Sequence, residues 1–296
     1  MSDRIELSAG NARAGIALRG AEWIDWRVGA DALLWTPDAA FWDETAPLLF
    51  PVCGWTRDGR ATVNGVVYPL GLHGFARAQT FELQQRGGDF VTMTLRDNPA
   101  TRAQYPFAFE LNLEYRLMPF AFEARSRVVN AGRVPMPYAF GLHPGFRWPF
   151  AGGDIEDYAI VFDEEERADV PVIAPGGLFS DQRRPVALEG RELALSSDTF
   201  AREALCFLDA RSHGLAFVGP RNRVSGRHAR KIGVRTEGFE HIVLWSRPGA
   251  PFLCVENWTG YGDPVGFTGE LAEKPSMISL APGEVGEHRA TYRLES

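Results

Sequence analysis

Residues 109–117 read FELNLEYRL, and their alternation decides the fold class. Phe109, Leu111, Leu113, Tyr115 and Leu117 are apolar, and Glu110, Asn112, Glu114 and Arg116 between them are polar. A period of two places the two sets on opposite faces of an extended chain, which predicts a half-buried β-strand. FVTMTL (90–95) and FEARSRVV (122–129), the latter reached through Met118-Pro119, predict its neighbours. ATVNGVVYPL (61–70) predicts a hairpin, because Asn64-Gly65 suits a primed turn between β-branched runs. Further strands are expected in AIVFD (159–163), GLAFVG (214–219), HIVLWS (241–246), PFLCVENW (251–258), MISLA (277–281) and HRATYRL (288–294). Helical patterns are confined to PDAAFWDET (37–45) and GELAEK (269–274), each one or two turns long. Many short strands between close turn signals predict an all-β sandwich or barrel. No linker or composition break divides the chain, so residues 1–296 are expected to form a single domain.

With 296 residues, 45% of them hydrophobic, the chain can bury a large core. No apolar run is long enough to cross a membrane, and the N-terminus lacks the apolar region of a secretory signal, so a cytoplasmic location is expected. Cys53, Cys206 and Cys254 are too few and too scattered for a disulfide framework or a zinc cluster, and are expected to be buried free thiols. A net charge of −7 argues against nucleic acid as a partner. One stretch opposes that charge: RNRVSGRHARKIGVR (221–235) carries Arg221, Arg223, Arg227, Arg230, Lys231 and Arg235. It reads as a solvated loop entering a strand, with a sugar-phosphate site as the alternative.

GLHGF (71–75) and GLHPGF (141–146) each present a histidine among glycines. Histidine titrates nearest neutrality, so His73 and His143 are candidates either for one site built from two parts of the chain or for two unrelated turns. If the chain after Phe75 is extended, Arg77 shares a face with His73. Glu256 lies in the otherwise apolar PFLCVENW, where an unpartnered carboxylate would be costly to bury. Trp258 follows on its face, and Trp245 and Trp258 offer flat apolar surfaces with a polar edge. Three other chemistries are open to these residues. A metal triad of His73, His143 and Glu256 lacks a close ligand pair such as H-x-H. Paired carboxylates for glycoside cleavage would need a second acid from Asp198, Asp209 or Asp263. Serine nucleophile chemistry lacks a G-x-S-x-G elbow.

Taken together, the motifs resemble the aldose 1-epimerase (galactose mutarotase-like) family, and within it the LacX-type branch. The matching pieces are APLLFPVCGWTRDGR (46–60), YPLGLHGFARAQTFEL (68–83), FGLHPGF (140–146), LWSRPGAPFLCVENWTGYGDP (244–264) and ISLAPGE (278–284), in family order. HGFAR is also similar to the family's hexose-6-phosphate mutarotases. The resemblance implies a large antiparallel β-supersandwich, a sugar as the substrate, and no metal or cofactor. It implies that His73 and His143 converge on one sugar site, with Glu256 as general base and His143 as general acid. His73, Arg77, Asp198 and Trp258 are implied to hold the substrate. An acid and a base on opposite sides of the sugar ring would then interconvert its anomers. A monomer or homodimer is expected. Asn257 stands where the family often has proline, and Trp55 where a basic residue is common in LacX-like chains; both bear on sugar specificity.

Overall fold

A computed structural model describes residues 4–221, 226 and 228–295. The Phe109–Met118 strand buries every odd residue, as its alternation predicts, and pairs antiparallel with Ala121–Asn130 and Phe90–Arg96. These belong to a ten-stranded sheet that continues through Val285–Glu295, Lys231–Glu237, Gly214–Val218 and Ala159–Phe162. A second sheet runs in the order Leu205–Phe207, His241–Trp245, Phe252–Trp258, Gly141–Leu142, Leu48–Leu49, with Gly145–Arg147 also paired to Phe252–Trp258. Leu111, Leu113 and Tyr115 from the first sheet and Leu244, Leu253 and Val255 from the second share one apolar cluster. Two antiparallel sheets packed across a common core are the all-β supersandwich that the resemblance implies.

The 61–70 hairpin forms as Arg60–Val63 and Val66–Pro69, with Asn64 and Gly65 at φ 51° and 74°. Residues 37–45, expected to be helical, are instead an irregular loop. Asp38 turns the chain by accepting from the Ala40 N–H through Oδ1, and Phe41 and Trp42 donate back to its carbonyl. Residues 269–274 keep only a 3-10 turn, Leu271–Glu273. One short α-helix, Pro99–Arg102, is capped by the Asn98 side chain and had no periodicity to reveal it. The three cysteines are free and buried. In the basic stretch, Arg223 and Arg227 lie outside the described residues. The others meet carboxylates: Arg221 with Glu192, Arg230 with Asp31, Lys231 with Glu295 and Arg235 with Asp163. That is the behaviour of a solvated loop and strand. No helix among the described residues is long and apolar enough to cross a membrane.

Candidate active site

The Phe252–Trp258 strand is buried along its whole length. Alternation sends Leu253 and Val255 into the main core, and Cys254, Glu256 and Trp258 to the opposite face. That face floors a cleft of about 410 Å³. Gly141 pairs with Trp258 and Leu142 with Asn257, and the same register resumes with Gly145 opposite Cys254. His143 therefore stands directly across from Glu256. Pro144, which has no N–H to give the ladder, marks the interruption between the two short strands.

The two glycines of GLHPGF make room on either side of this histidine. A Cβ on Gly141 would come within 3.0 Å of the Trp258 indole, and one on Gly145 within 2.8 Å of the Trp42 ring. Trp42, delivered by the 37–45 loop, lies over the His143 imidazole with ring centroids 5.1 Å apart and planes 31° apart. Trp245 meets the same imidazole edge-on at 5.8 Å. The ring is thus clamped, and its Nε2 lies 3.2 Å from Glu256 Oε2. Trp258 donates its indole N–H to that oxygen at 2.9 Å. Among the described residues no donor holds Glu256 Oε1, which stays available to a ligand hydroxyl.

GLHGF folds differently. His73 and Gly74 both take left-handed backbone, φ 61° and 68°, and a Cβ on Gly74 would collide with the Phe50 carbonyl. The turn tips the His73 ring to 5.5 Å from that of His143. The Gly54 N–H donates to His73 Nδ1 at 3.1 Å, so the neutral ring carries its proton on Nε2. The two Gly-Leu-His stretches are therefore one site built from unlike local structures. Arg77 reaches the cleft from a 3-10 turn, Ala76–Ala78, and not from an extended segment. Its Nη1 is 2.8 Å from Glu44 Oε2.

Burial sets the charges. It pushes His73 and His143 below the usual imidazole range, with the neighbouring guanidinium of Arg77 adding to the effect. It pushes Glu256 well above the usual carboxylate range, opposed by the Trp258 hydrogen bond. Both sites of the 3.2 Å contact thus resist carrying a net charge, and together they hold one proton.

The sequence-derived residues divide cleanly. His73, Arg77, His143, Glu256 and Trp258 line the cleft. Asp198 does not: it is exposed in a turn whose buried residue is Phe200, packed edge-on against Trp148. Asp209 is also exposed, and Asp263 is committed to a buried ion pair with Lys274 at 2.9 Å, so neither supplies a second catalytic carboxylate. The acid and base candidates touch each other, where the sequence reading placed them on opposite sides of a ring. Cross-strand register is the reason. For a metal, the grouping that forms is His143, Cys254 and Glu256, with ligand atoms within 4.8 Å of one another, and it leaves out His73. Burial raises the Cys254 thiol well above the usual range. Trp42, Asp43, Glu203 and Arg247 also line the cleft and escaped the sequence reading. Each sits in a loop, and only the left-handed φ of Glu203, 71°, marks one of them locally.

The profile of the aldose 1-epimerase family matches residues 3–293. The chain belongs to the aldose 1-epimerase family. Protein LacX of Lactococcus lactis subsp. lactis is 31% identical over 259 residues, 84% of this chain and 85% of that protein. A galactose mutarotase related enzyme from Lactobacillus acidophilus superposes with a TM-score of 0.90 at 27% identity, covering 99% of this chain and 97% of that one. A galactose mutarotase-like protein from Lactobacillus casei ATCC 334 gives 0.90 at 25% identity, covering 99% and 100%. This aldose 1-epimerase family member carries its buried carboxyl–imidazole pair at the floor of the cleft, with Glu256 on the Phe252–Trp258 strand and His143 in the gap between the two short strands paired with it.

Proposed function

We propose that the protein is an aldose 1-epimerase that interconverts the α and β anomers of a free hexose using only its own side chains. The contact between His143 and Glu256 carries this reading. The anomeric hydroxyl and the ring oxygen are both bonded to C1, so an acid and a base in contact can serve both. With the shared proton on His143, the tautomer that bound sugar must favour, Glu256 as carboxylate takes the proton of the anomeric hydroxyl. His143, as imidazolium, gives a proton to the ring oxygen. The C1–O5 bond breaks, C1 becomes an aldehyde, and rotation about C1–C2 presents its other face. Reversal of both transfers closes the ring as the other anomer.

The proton that His143 loses is matched by the one Glu256 gains, so the site's net charge does not change. The open-chain state leaves both groups neutral, which is the state burial favours. Each transfer is of the kind that contributes roughly 10²–10⁴ in rate. His73 Nε2–H and the Arg77 guanidinium orient sugar hydroxyls. The test is whether the protein speeds the approach of an α-hexose to anomeric equilibrium while leaving glycosides intact. New reducing ends released from a glycoside would reject this reading in favour of hydrolysis.

A further inference from the structure

Arg184 lies outside the cleft, yet it holds a piece of the cleft wall. It belongs to the Leu178–Pro185 strand, pairs across the hairpin with Val170, and is only 9% exposed. Its guanidinium forms no ion pair among the described residues. Instead Nη2 donates to three successive carbonyls, those of Arg202, Glu203 and Ala204, at 2.9, 3.2 and 3.3 Å. Burying a cation against neutral carbonyls contributes little to stability, so this arrangement points to a demand on the segment it grips.

That segment is strained. Glu203 takes left-handed backbone, φ 71°, which residues other than glycine rarely adopt. Such conformations persist where the surroundings over-determine them, and they cluster at ligand clamps. The strained turn delivers Glu203, Ala204 and then Cys206 to the cleft lining. Glu203 is exposed there, and among the described residues its carboxylate has no ion-pair partner. It stands near enough to act on the Arg184 guanidinium through its charge without bonding to it. We propose that Arg184 is a positioning residue: it clamps the 202–204 carbonyls and thereby aims the Glu203 carboxylate at hydroxyls of the bound sugar. This rests on the epimerase reading of the cleft.

The experiment is a double-mutant cycle read by mutarotation of α-D-glucose, with the wild type, Arg184→Met, Glu203→Gln and the two combined. Arg184→Met is expected to raise KM about tenfold, the effect of one lost hydrogen bond to a charged group, and to leave kcat within about twofold. The combined variant is expected to have the KM of Glu203→Gln alone, because both changes remove the same contact. Arg184→Lys, which returns a cationic donor to the carbonyls, is expected to recover part of the loss. An unchanged KM in Arg184→Met overturns the proposal. So do additive losses, which a general weakening of the wall would give. If Arg184→Met does not fold, Arg184→Lys replaces it in the cycle, and the same two outcomes decide. If the wild type turns over no sugar, the epimerase reading fails separately, and the cycle is read by calorimetric titration with glucose. Weaker, non-additive binding in the Arg184 variant then supports the proposal. Equal binding, or none by the wild type, overturns it.

Discussion

Glu256 and His143 share one proton across 3.2 Å, and burial works against both ways of charging the pair. Adding a second proton makes the pair cationic, so that step is pushed to lower pH than an ordinary imidazole. Removing the shared proton makes it anionic, so that step is pushed to higher pH than an ordinary carboxylate. The pair should therefore keep its single proton over a wider range than an ordinary carboxylate and imidazolium would, with the acid limb of the rate below about 4.3 and the alkaline limb above about 6.5, the reference values for the two side chains. A pH–kcat/KM profile checks this; a peak confined between those two values would contradict it. Glu256 and His143 stood out in the sequence as a carboxylate in an apolar strand and a histidine between glycines, but only the family resemblance joined them, because their contact depends on cross-strand register. Asp198 misled because a short loop leaves nothing to say which way a side chain turns. Trp42 and Glu203 were invisible for the same reason: neither departs from what a surface loop ordinarily contains.

The elements around the site are braced at a distance from it. Lys274 and Asp263 form an ion pair with side chains only 1% and 6% exposed. Asp263 also accepts from the Arg57 N–H at 2.8 Å and donates its own N–H to Trp55. That binds the 54–57 loop, whose Gly54 N–H fixes the proton on His73. Replacing Lys274 by Met leaves a buried carboxylate unpaired, so it should cost about 3–5 kcal/mol in denaturant unfolding. It should also raise KM by loosening His73. Adding Asp263→Asn should recover much of the lost stability, because no charge is then stranded; a loss of less than about 1 kcal/mol in the single variant would show the pair to be dispensable. This brace could not be read in advance, since Lys274 and Asp263 are eleven residues apart in unrelated turns. Long strands were readable and short ones were not. Phe109–Met118 shows its period over ten residues, whereas Gly141–Leu142, which positions His143, has two and no period at all.

Across the molecule, burial holds four histidines, His73, His143, His241 and His288, below the usual imidazole range. On unfolding they regain an ordinary affinity for protons. Below about pH 6.5 the unfolded chain then binds protons that the native one does not, so their contribution to stability is full above that pH and is lost as pH falls. Glu256 and Glu44 act in the opposite sense, because burial raises both and the native state holds protons that the unfolded state releases above about pH 4.3. Four groups outweigh two, and the denaturant midpoint should fall between pH 7 and pH 5. A midpoint that stays level or rises over that range would contradict the charge states assigned to the core. The all-β class was legible because alternation and turn chemistry recur along the whole chain. The convergence of the two Gly-Leu-His stretches was legible only through the family resemblance and not in the stretches themselves, because it depends on a left-handed turn at one and cross-strand register at the other.

Polarimetry of freshly dissolved α-D-glucose and α-D-galactose, with wild type and Glu256→Gln side by side, tests the central claim most directly. Gln keeps an oxygen to accept from Trp258 but cannot take a proton. The account predicts accelerated relaxation by the wild type and a loss of roughly 10²–10⁴ in the variant, with its fold unchanged. Near-equal acceleration by both proteins would contradict it.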